Sequence, residues 1–112
     1  MPLTFTNTVW AATPAPTGPL QPFGGGCSTV ATPFSWGYSG PGQTGYSLKL
    51  TGSVPTLGSG TWYWTGTAWT ATQTWVSSTA QGVTIPASAL TAGNSYTWSL
   101  ATEDTNGQGA YQ

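Results

Sequence analysis

Short runs of this chain alternate between apolar and polar side chains, and turn-forming residues separate the runs. Segments 34–38, 46–51 and 96–101 each carry aromatic or aliphatic side chains at every second position. Successive side chains of a strand point to opposite faces, so each segment predicts a strand with one buried face and one solvated face. No run shows the apolar spacing of a helix. We therefore expect an all-β fold.

The middle of the chain predicts a hairpin and a further short strand. Segment 61–64 precedes Gly66, which supplies a tight turn, and the returning strand is expected over about 69–77. Segment 83–85 is another strand, which Pro86 ends. Six or seven strands joined by such short connections pair antiparallel. Because two packed sheets bury one face of each strand, we expect an antiparallel two-sheet sandwich.

Charged side chains make up only 3% of the 112 residues: one is basic, two are acidic, and there is no His. A single basic residue cannot neutralise a run of phosphates, so we expect no nucleic-acid binding. Acid–base catalysis and metal coordination have almost no side chains to use, so we expect no enzyme, cofactor or metal site. No stretch reaches the roughly 18 apolar residues of a membrane span, so we expect no membrane insertion.

Two parts of the sequence carry a family resemblance. Trp36 lies in an early predicted strand and Tyr46 opens the next one, while Leu90 and Tyr96 precede and begin a late strand. This pattern resembles the fibronectin type III domain, an immunoglobulin-like sandwich. The resemblance implies that residues 14–112 form the sandwich. It also implies that Leu90 and Tyr96 form a tyrosine corner, which pins a loop to the core.

Four motifs make the resemblance more specific. PFSWGY, GTWYWTGTAW, TIPASALTAGNSYTWSLAT and DTNGQG resemble fibronectin-III-like repeats in tail proteins of phages that infect actinobacteria, and in some bacterial surface proteins. The resemblance implies a non-catalytic structural or adhesive module of a virion, in the tail or as surface decoration. An extracellular or bacterial cell-surface location is the alternative. The implied partners are copies of the chain itself, other virion structural proteins and, for host attachment, cell-surface glycans.

Residues 1–13 form an N-terminal arm that leads into a Pro-rich linker. Leu3, Phe5 and Val9 are spaced through a run that alternates like a strand. The fibronectin type III family usually has a strand after the loop at Gly107, and here the seventh strand is expected to be missing. The arm is therefore a candidate for strand addition, in its own sandwich or in that of a neighbouring copy. The alternative is a short or frayed first strand of its own domain.

The predicted hairpin carries a surplus of aromatic residues, since the other strands already supply enough side chains to fill the core. The surplus residues are Trp62, Tyr63, Trp64, Trp69 and Trp75. Tyr63 faces the opposite side from its two neighbours, so at least one ring is expected outside. Three interpretations stay open: packing at the edge of the core, a protein–protein contact, or a carbohydrate-binding module that stacks Trp rings on sugars. Gln73 and Gln81 are the nearest amides in sequence for a glycan.

The charged residues do not form a catalytic pattern. Glu103 and Asp104 are adjacent in a predicted strand, so their carboxylates diverge and do not make a dyad. Asp104 and Asn106 are typical of a turn that their side chains stabilise. Lys49 is predicted on the outward face of its strand, as a solvated charge or a guard against edge pairing.

Overall fold

The chain folds into short strands, which the computed structural model describes over residues 14–18, 23–24, 31–38, 42–91 and 94–112. That part of the chain has ten strands rather than the predicted six or seven, together with a 3₁₀ helix and no α-helix, so the all-β class is confirmed and the strand count was wrong. The strands are β1 (Ala15–Gly18), β2 (Phe23–Gly24), β3 (Thr32–Gly37), β4 (Gly45–Val54), β5 (Gly58–Trp64), β6 (Trp69–Thr70), β7 (Val76–Ser77), β8 (Gly82–Ile85), β9 (Ser95–Asp104) and β10 (Gly107–Gln108), and the 3₁₀ helix is Ala87–Ala89.

The strands make two sheets in which every described pair is antiparallel, as predicted. The smaller sheet has the order β1-β3-β8. The larger sheet has the order β10-β9-β4-β5-β6, with β2 paired to β9 and β7 paired to β4. β3 therefore pairs with β8 and not with the next strand, β4. The chain crosses to the larger sheet after β3 and returns to the smaller one with β8.

The inner faces of the two sheets share one apolar core. The Phe34 ring of β3 meets the Trp98 ring of β9 edge to face, with ring centroids 5.0 Å apart. The Trp36 ring packs against the Tyr46 ring of β4, with ring centroids 5.2 Å apart. Burying each such side chain contributes about 1.5–3 kcal/mol relative to exposure. The buried members of the core are Phe34, Trp36, Tyr46, Leu48, Leu50, Val54, Trp64, Trp69, Ile85, Leu90, Tyr96, Trp98 and Leu100.

The hairpin forms as predicted, but its returning strand is shorter. Trp64 pairs with Trp69, and Gly66 has a φ of 108° in the connecting turn. Pairing with β5 ends at Thr70, and β7 pairs instead with β4 at Tyr46. β5 pairs with β4 only from Lys49 onward. At the start of β4, β7 takes over on the same edge and pairs with the backbone groups of Gly45 and Tyr46. The predicted continuous strand over 69–77 was therefore wrong.

The C-terminal segment occupies the position that we predicted to be empty. β10 pairs with the end of β9. Beyond β10, the Gly109 N–H donates to the Thr102 carbonyl at 3.0 Å. Gln112 and Leu100 exchange both backbone hydrogen bonds, at 2.9 and 3.1 Å. The prediction of a missing seventh strand was wrong, because these few residues are enough to pair with the edge of β9.

The N-terminal arm, with Leu3, Phe5 and Val9, lies outside the described residues. Its strand addition stays a prediction. The position along β9 from Leu100 to Asp104, however, is already filled by the C-terminal segment of the same chain.

Candidate functional site

Two of the five aromatic candidates lie in the core and not at the surface. Trp64 is 2% exposed and Trp69 is 9% exposed, and their rings meet edge to face at 4.8 Å. The Trp69 Nε1–H donates to the Ala89 carbonyl at 2.8 Å. For these two rings the structure shows core packing, one of the three interpretations left open by the sequence, because the inner faces of β5 and β6 belong to the core.

The other three aromatic candidates are half-buried. Trp62 packs against the core, and its Nε1–H is shared between the Gly52 and Gly58 carbonyls at 3.2 and 3.1 Å. Tyr63 faces the opposite side of β5, as the strand alternation predicted. The hairpin therefore offers no fully exposed Trp ring for a sugar.

Tyr111 brings a second group of side chains together on the outer face of the larger sheet, the face turned away from the core. Its hydroxyl lies 2.6 Å from Ser47 Oγ and accepts a hydrogen bond from Gln73 Nε2 at 2.9 Å. Its ring centroid lies 4.4 Å from Lys49 Nζ and 6.4 Å from that of Tyr63. Lys49 and Tyr63 are direct cross-strand partners. The outer face thus holds a cluster of aromatic and polar groups around the chain's one basic residue.

A row of hydroxyl groups runs beside this cluster. Thr51 pairs with Thr61 on one side and with Thr97 on the other, and all three are exposed. The Oγ1 atoms of Thr51 and Thr61 are 3.5 Å apart. We call the whole surface the outer patch and define it by Lys49, Thr51, Thr61, Tyr63, Gln73 and Tyr111.

A groove opens where three loops meet. It has a volume of about 340 Å³, and we call it the loop groove. It is lined by residues 55–57 of the β4–β5 turn, by residues 67–69, and by Pro86, Ser88 and Ala89. Leu57 is 46% exposed, and it is the exposed large hydrophobic side chain of the described part of the chain. None of the lining residues is charged.

The β4–β5 turn at this groove has a strained backbone. Thr56 has a φ of 68°, a conformation that β-branched residues rarely adopt. Its Oγ1 donates to the Pro55 carbonyl at 2.6 Å. Such strain persists only where the surrounding structure holds it in place.

A buried amide that no sequence pattern predicts joins three parts of the chain. Gln43 accepts a hydrogen bond from the Trp36 Nε1–H at 3.0 Å. Its own Nε2 donates to the carbonyls of Ser78 and Ala80, at 3.1 and 2.7 Å. All of the amide's polar atoms are thus engaged, and the residue belongs to the framework rather than to a binding site.

The two acidic side chains, Glu103 and Asp104, lie in different environments. Asp104 is 7% exposed, whereas Glu103 is half-buried and accepts a hydrogen bond from Gln108 Nε2 at 3.2 Å. The Asn106 N–H donates to Asp104 Oδ1 at 2.8 Å, as the turn interpretation predicted. In the described ranges no group of three or more His, Cys, Asp or Glu side chains could hold a metal ion.

The four residues of the family pattern are all buried: Trp36, Tyr46, Leu90 and Tyr96. Burial raises the pKa of Tyr46. The Tyr96 hydroxyl accepts a hydrogen bond from the Thr91 N–H at 2.8 Å and donates to the Ser53 carbonyl. Tyr96 therefore ties the loop before β9 to the end of β4.

Comparison with protein-family models, with curated proteins and with solved structures finds no match to this chain. In the part of the chain that the structure describes, no helix has the length and apolar character to cross a membrane.

Proposed function

We propose that the chain is a fibronectin-III-like module with a non-catalytic structural role on a virion, where it packs against copies of itself. The virion setting follows from the motif resemblance. The loop groove carries the packing role, because it combines a concave apolar surface with the exposed Leu57. Tail genes on either side of its gene would support the setting.

The sheet order and the Tyr96 contact support the module assignment. Pairing of β3 with β8 across an excursion to the other sheet is typical of Greek-key sandwiches. The Tyr96 hydroxyl reaches back to the backbone N–H of Thr91, five residues upstream. A Tyr hydroxyl that reaches back in this way at the start of a late strand is typical of the tyrosine corner of immunoglobulin-like domains, which supports the proposal.

The charge distribution supports contact between copies. The chain has a formal net charge of −1, so two copies repel each other only weakly. The groove lining contains no charged side chain, so docking there desolvates no ion. An exposed Leu57 on one copy and the apolar groove on another form a self-complementary pair. Leu57 directly follows Thr56, which has a φ of 68° in the same turn.

Sedimentation velocity over a wide range of concentrations tests this role. We expect reversible self-association of the wild-type chain. Leu57→Ser should weaken it about tenfold or more, since burying a Leu side chain contributes about 1.5–3 kcal/mol. Thr105→Ala is the matched control, because Thr105 is an exposed turn residue at the opposite end of β4 and β9.

Two outcomes would count against the packing role. One is a wild-type chain that stays monomeric at millimolar concentration. The other is self-association that Leu57→Ser and Thr105→Ala change equally, which would place the contact elsewhere on the molecule.

A further inference from the structure

We propose that the outer patch binds an acidic polysaccharide, a sugar chain that bears carboxylate groups. The patch lies on the face of the larger sheet turned away from the core, and the loop groove shares none of its residues. The proposal therefore stands independently of self-association, and either role can fail without the other.

The ammonium group of Lys49 favours an acidic ligand. Lys49 is the chain's one basic residue, and the contact that its Nζ makes is with the face of the Tyr111 ring. Asp104 and Glu103 are engaged elsewhere, with Tyr38 and with Gln108. In the described part of the chain Lys49 thus has no carboxylate partner. A ligand carboxylate would add a charge-assisted hydrogen bond, which is about twice as strong as a neutral one.

The arrangement of rings and hydroxyl groups favours a sugar as the carrier of that carboxylate. The rings of Tyr63 and Tyr111 are partly exposed beside Lys49, and the exposed surface of an aromatic ring stacks on the C–H face of a sugar ring. The row of Thr51, Thr61 and Thr97 lies two residues along β4 from Lys49, a rise of about 7 Å, so one oligosaccharide can reach both Lys49 and the row. The exposed hydroxyl groups of the row can donate to and accept from sugar hydroxyls.

The patch is largely preformed. The Tyr111 hydroxyl is held between Ser47 and Gln73, so its ring orientation is fixed before a ligand arrives. Lys49 and Tyr63 are held in register by the pairing of β4 with β5. A preformed surface loses less conformational entropy on binding than one that must first become ordered.

NMR titration of the full chain with an oligogalacturonate and with a neutral cello-oligosaccharide of equal length tests the proposal. We expect the acidic sugar to shift the resonances of Lys49, Thr61 and Tyr63. Lys49→Gln should weaken acidic binding about tenfold or more. Tyr63→Val keeps a strand-forming residue but removes the ring, and should weaken binding several-fold. Leu57→Ser, in the loop groove, should leave binding unchanged.

Three results would overturn the proposal. They are no shift at millimolar oligogalacturonate, equal affinity for the acidic and the neutral sugar, and full affinity in a folded Lys49→Gln variant. The amide spectrum of each variant reports whether its fold is intact. Because Leu57→Ser addresses self-association separately, loss of sugar binding would not count against the packing role.

Discussion

The Tyr38 hydroxyl donates a hydrogen bond to Asp104 Oδ2 at 2.7 Å, across 66 positions of sequence. Tyr38 directly follows β3 of the smaller sheet, and Asp104 ends β9 of the larger one. The other carboxylate oxygen of Asp104 accepts the Asn106 N–H. One side chain therefore fixes both the contact between the sheets and the turn that leads into β10.

This contact predicts a loss of stability at alkaline pH. Burial, and then the hydrogen bond to Asp104 and its charge, raise the pKa of Tyr38 to about 12, whereas an unfolded Tyr titrates near 10. The stabilisation that the neutral Tyr38 hydroxyl contributes is complete below about pH 10 and is lost as the pH rises towards 12. Within that window the free energy of unfolding should fall as the pH rises, by less than the roughly 1.4 kcal/mol per pH unit of a fully buried group, because solvent screens the partly exposed Tyr38.

Urea unfolding of the wild-type chain and of Tyr38→Phe between pH 7 and 12 measures this effect. At pH 7 the variant should be less stable by about 1–3 kcal/mol, because Asp104 loses a donor. Its stability should then decline less steeply above pH 10. An alkaline slope equal to that of the wild-type chain would show that Tyr38 is not the group responsible.

A close approach between backbone and ring predicts that Gly52 cannot be replaced. Gly52 has a φ of 154°, and an added Cβ would collide with Cδ1 of the buried Tyr96 ring. Because Tyr96 is held by hydrogen bonds to Thr91 and Ser53, the ring cannot move aside. Gly52→Ala should cost about 2–5 kcal/mol in the free energy of unfolding.

Chemical denaturation measures the stability lost in Gly52→Ala. Gly42→Ala is the matched control, because an added Cβ at Gly42 meets nothing within 4 Å. Gly42→Ala should change stability by about 0.5 kcal/mol or less. If both variants lose the same amount of stability, the cause is a general effect of replacing Gly and not the Tyr96 ring.

The period of two in the sequence predicted which side chains face the core, because the strand pleat imposes that period directly. Phe34, Trp36, Leu48, Leu50 and Leu100 are all buried where the alternation placed them. The hairpin turn at Gly66 was equally readable, since turn geometry depends on neighbouring residues.

Contacts between distant segments could not be predicted in this way. The alternation assigns Ser47 to a solvated face, yet the residue is 0% exposed, and its hydroxyl meets that of Tyr111, 64 positions away. The outer patch depends on the same C-terminal segment, so no sequence pattern predicts that Lys49, Tyr63 and Tyr111 meet. Gln43 is buried through a network of partners, and a network leaves no periodic signal.

The Gln43 network predicts a pH-dependent variant. In Gln43→Glu the introduced carboxyl would face the carbonyls of Ser78 and Ala80, which now accept hydrogen bonds from the amide. Burial and these two carbonyls should raise its pKa above the unfolded value of about 4.3. The variant should therefore come closest to wild-type stability near pH 4, and lose stability as the pH rises through the folded-state pKa.

Thermal unfolding between pH 4 and 8 measures this dependence, with Gln81→Glu as the control at an exposed position. The control should show little change with pH relative to the wild-type chain. A Gln43→Glu variant whose deficit is the same at pH 4 and pH 8 would mean that the Nε2 hydrogen bonds do not hold the 78–80 segment.

For the two core Trp residues of the hairpin, we predict that replacing the less deeply buried one destabilises the fold more. Trp69 Nε1–H has a partner in the Ala89 carbonyl, whereas Trp64 Nε1–H is buried without a hydrogen-bond partner in the described structure. Replacement by Phe removes the same atoms at both positions. If lost packing decided the outcome, Trp64→Phe would cost more, because Trp64 is the more deeply buried. Trp64→Phe, however, also removes an unsatisfied polar group, whereas Trp69→Phe breaks a hydrogen bond and leaves a carbonyl unpaired.

We therefore expect Trp69→Phe to be the more destabilising by about 1–3 kcal/mol in urea unfolding. The opposite order would mean that Trp64 Nε1–H finds a partner in solution.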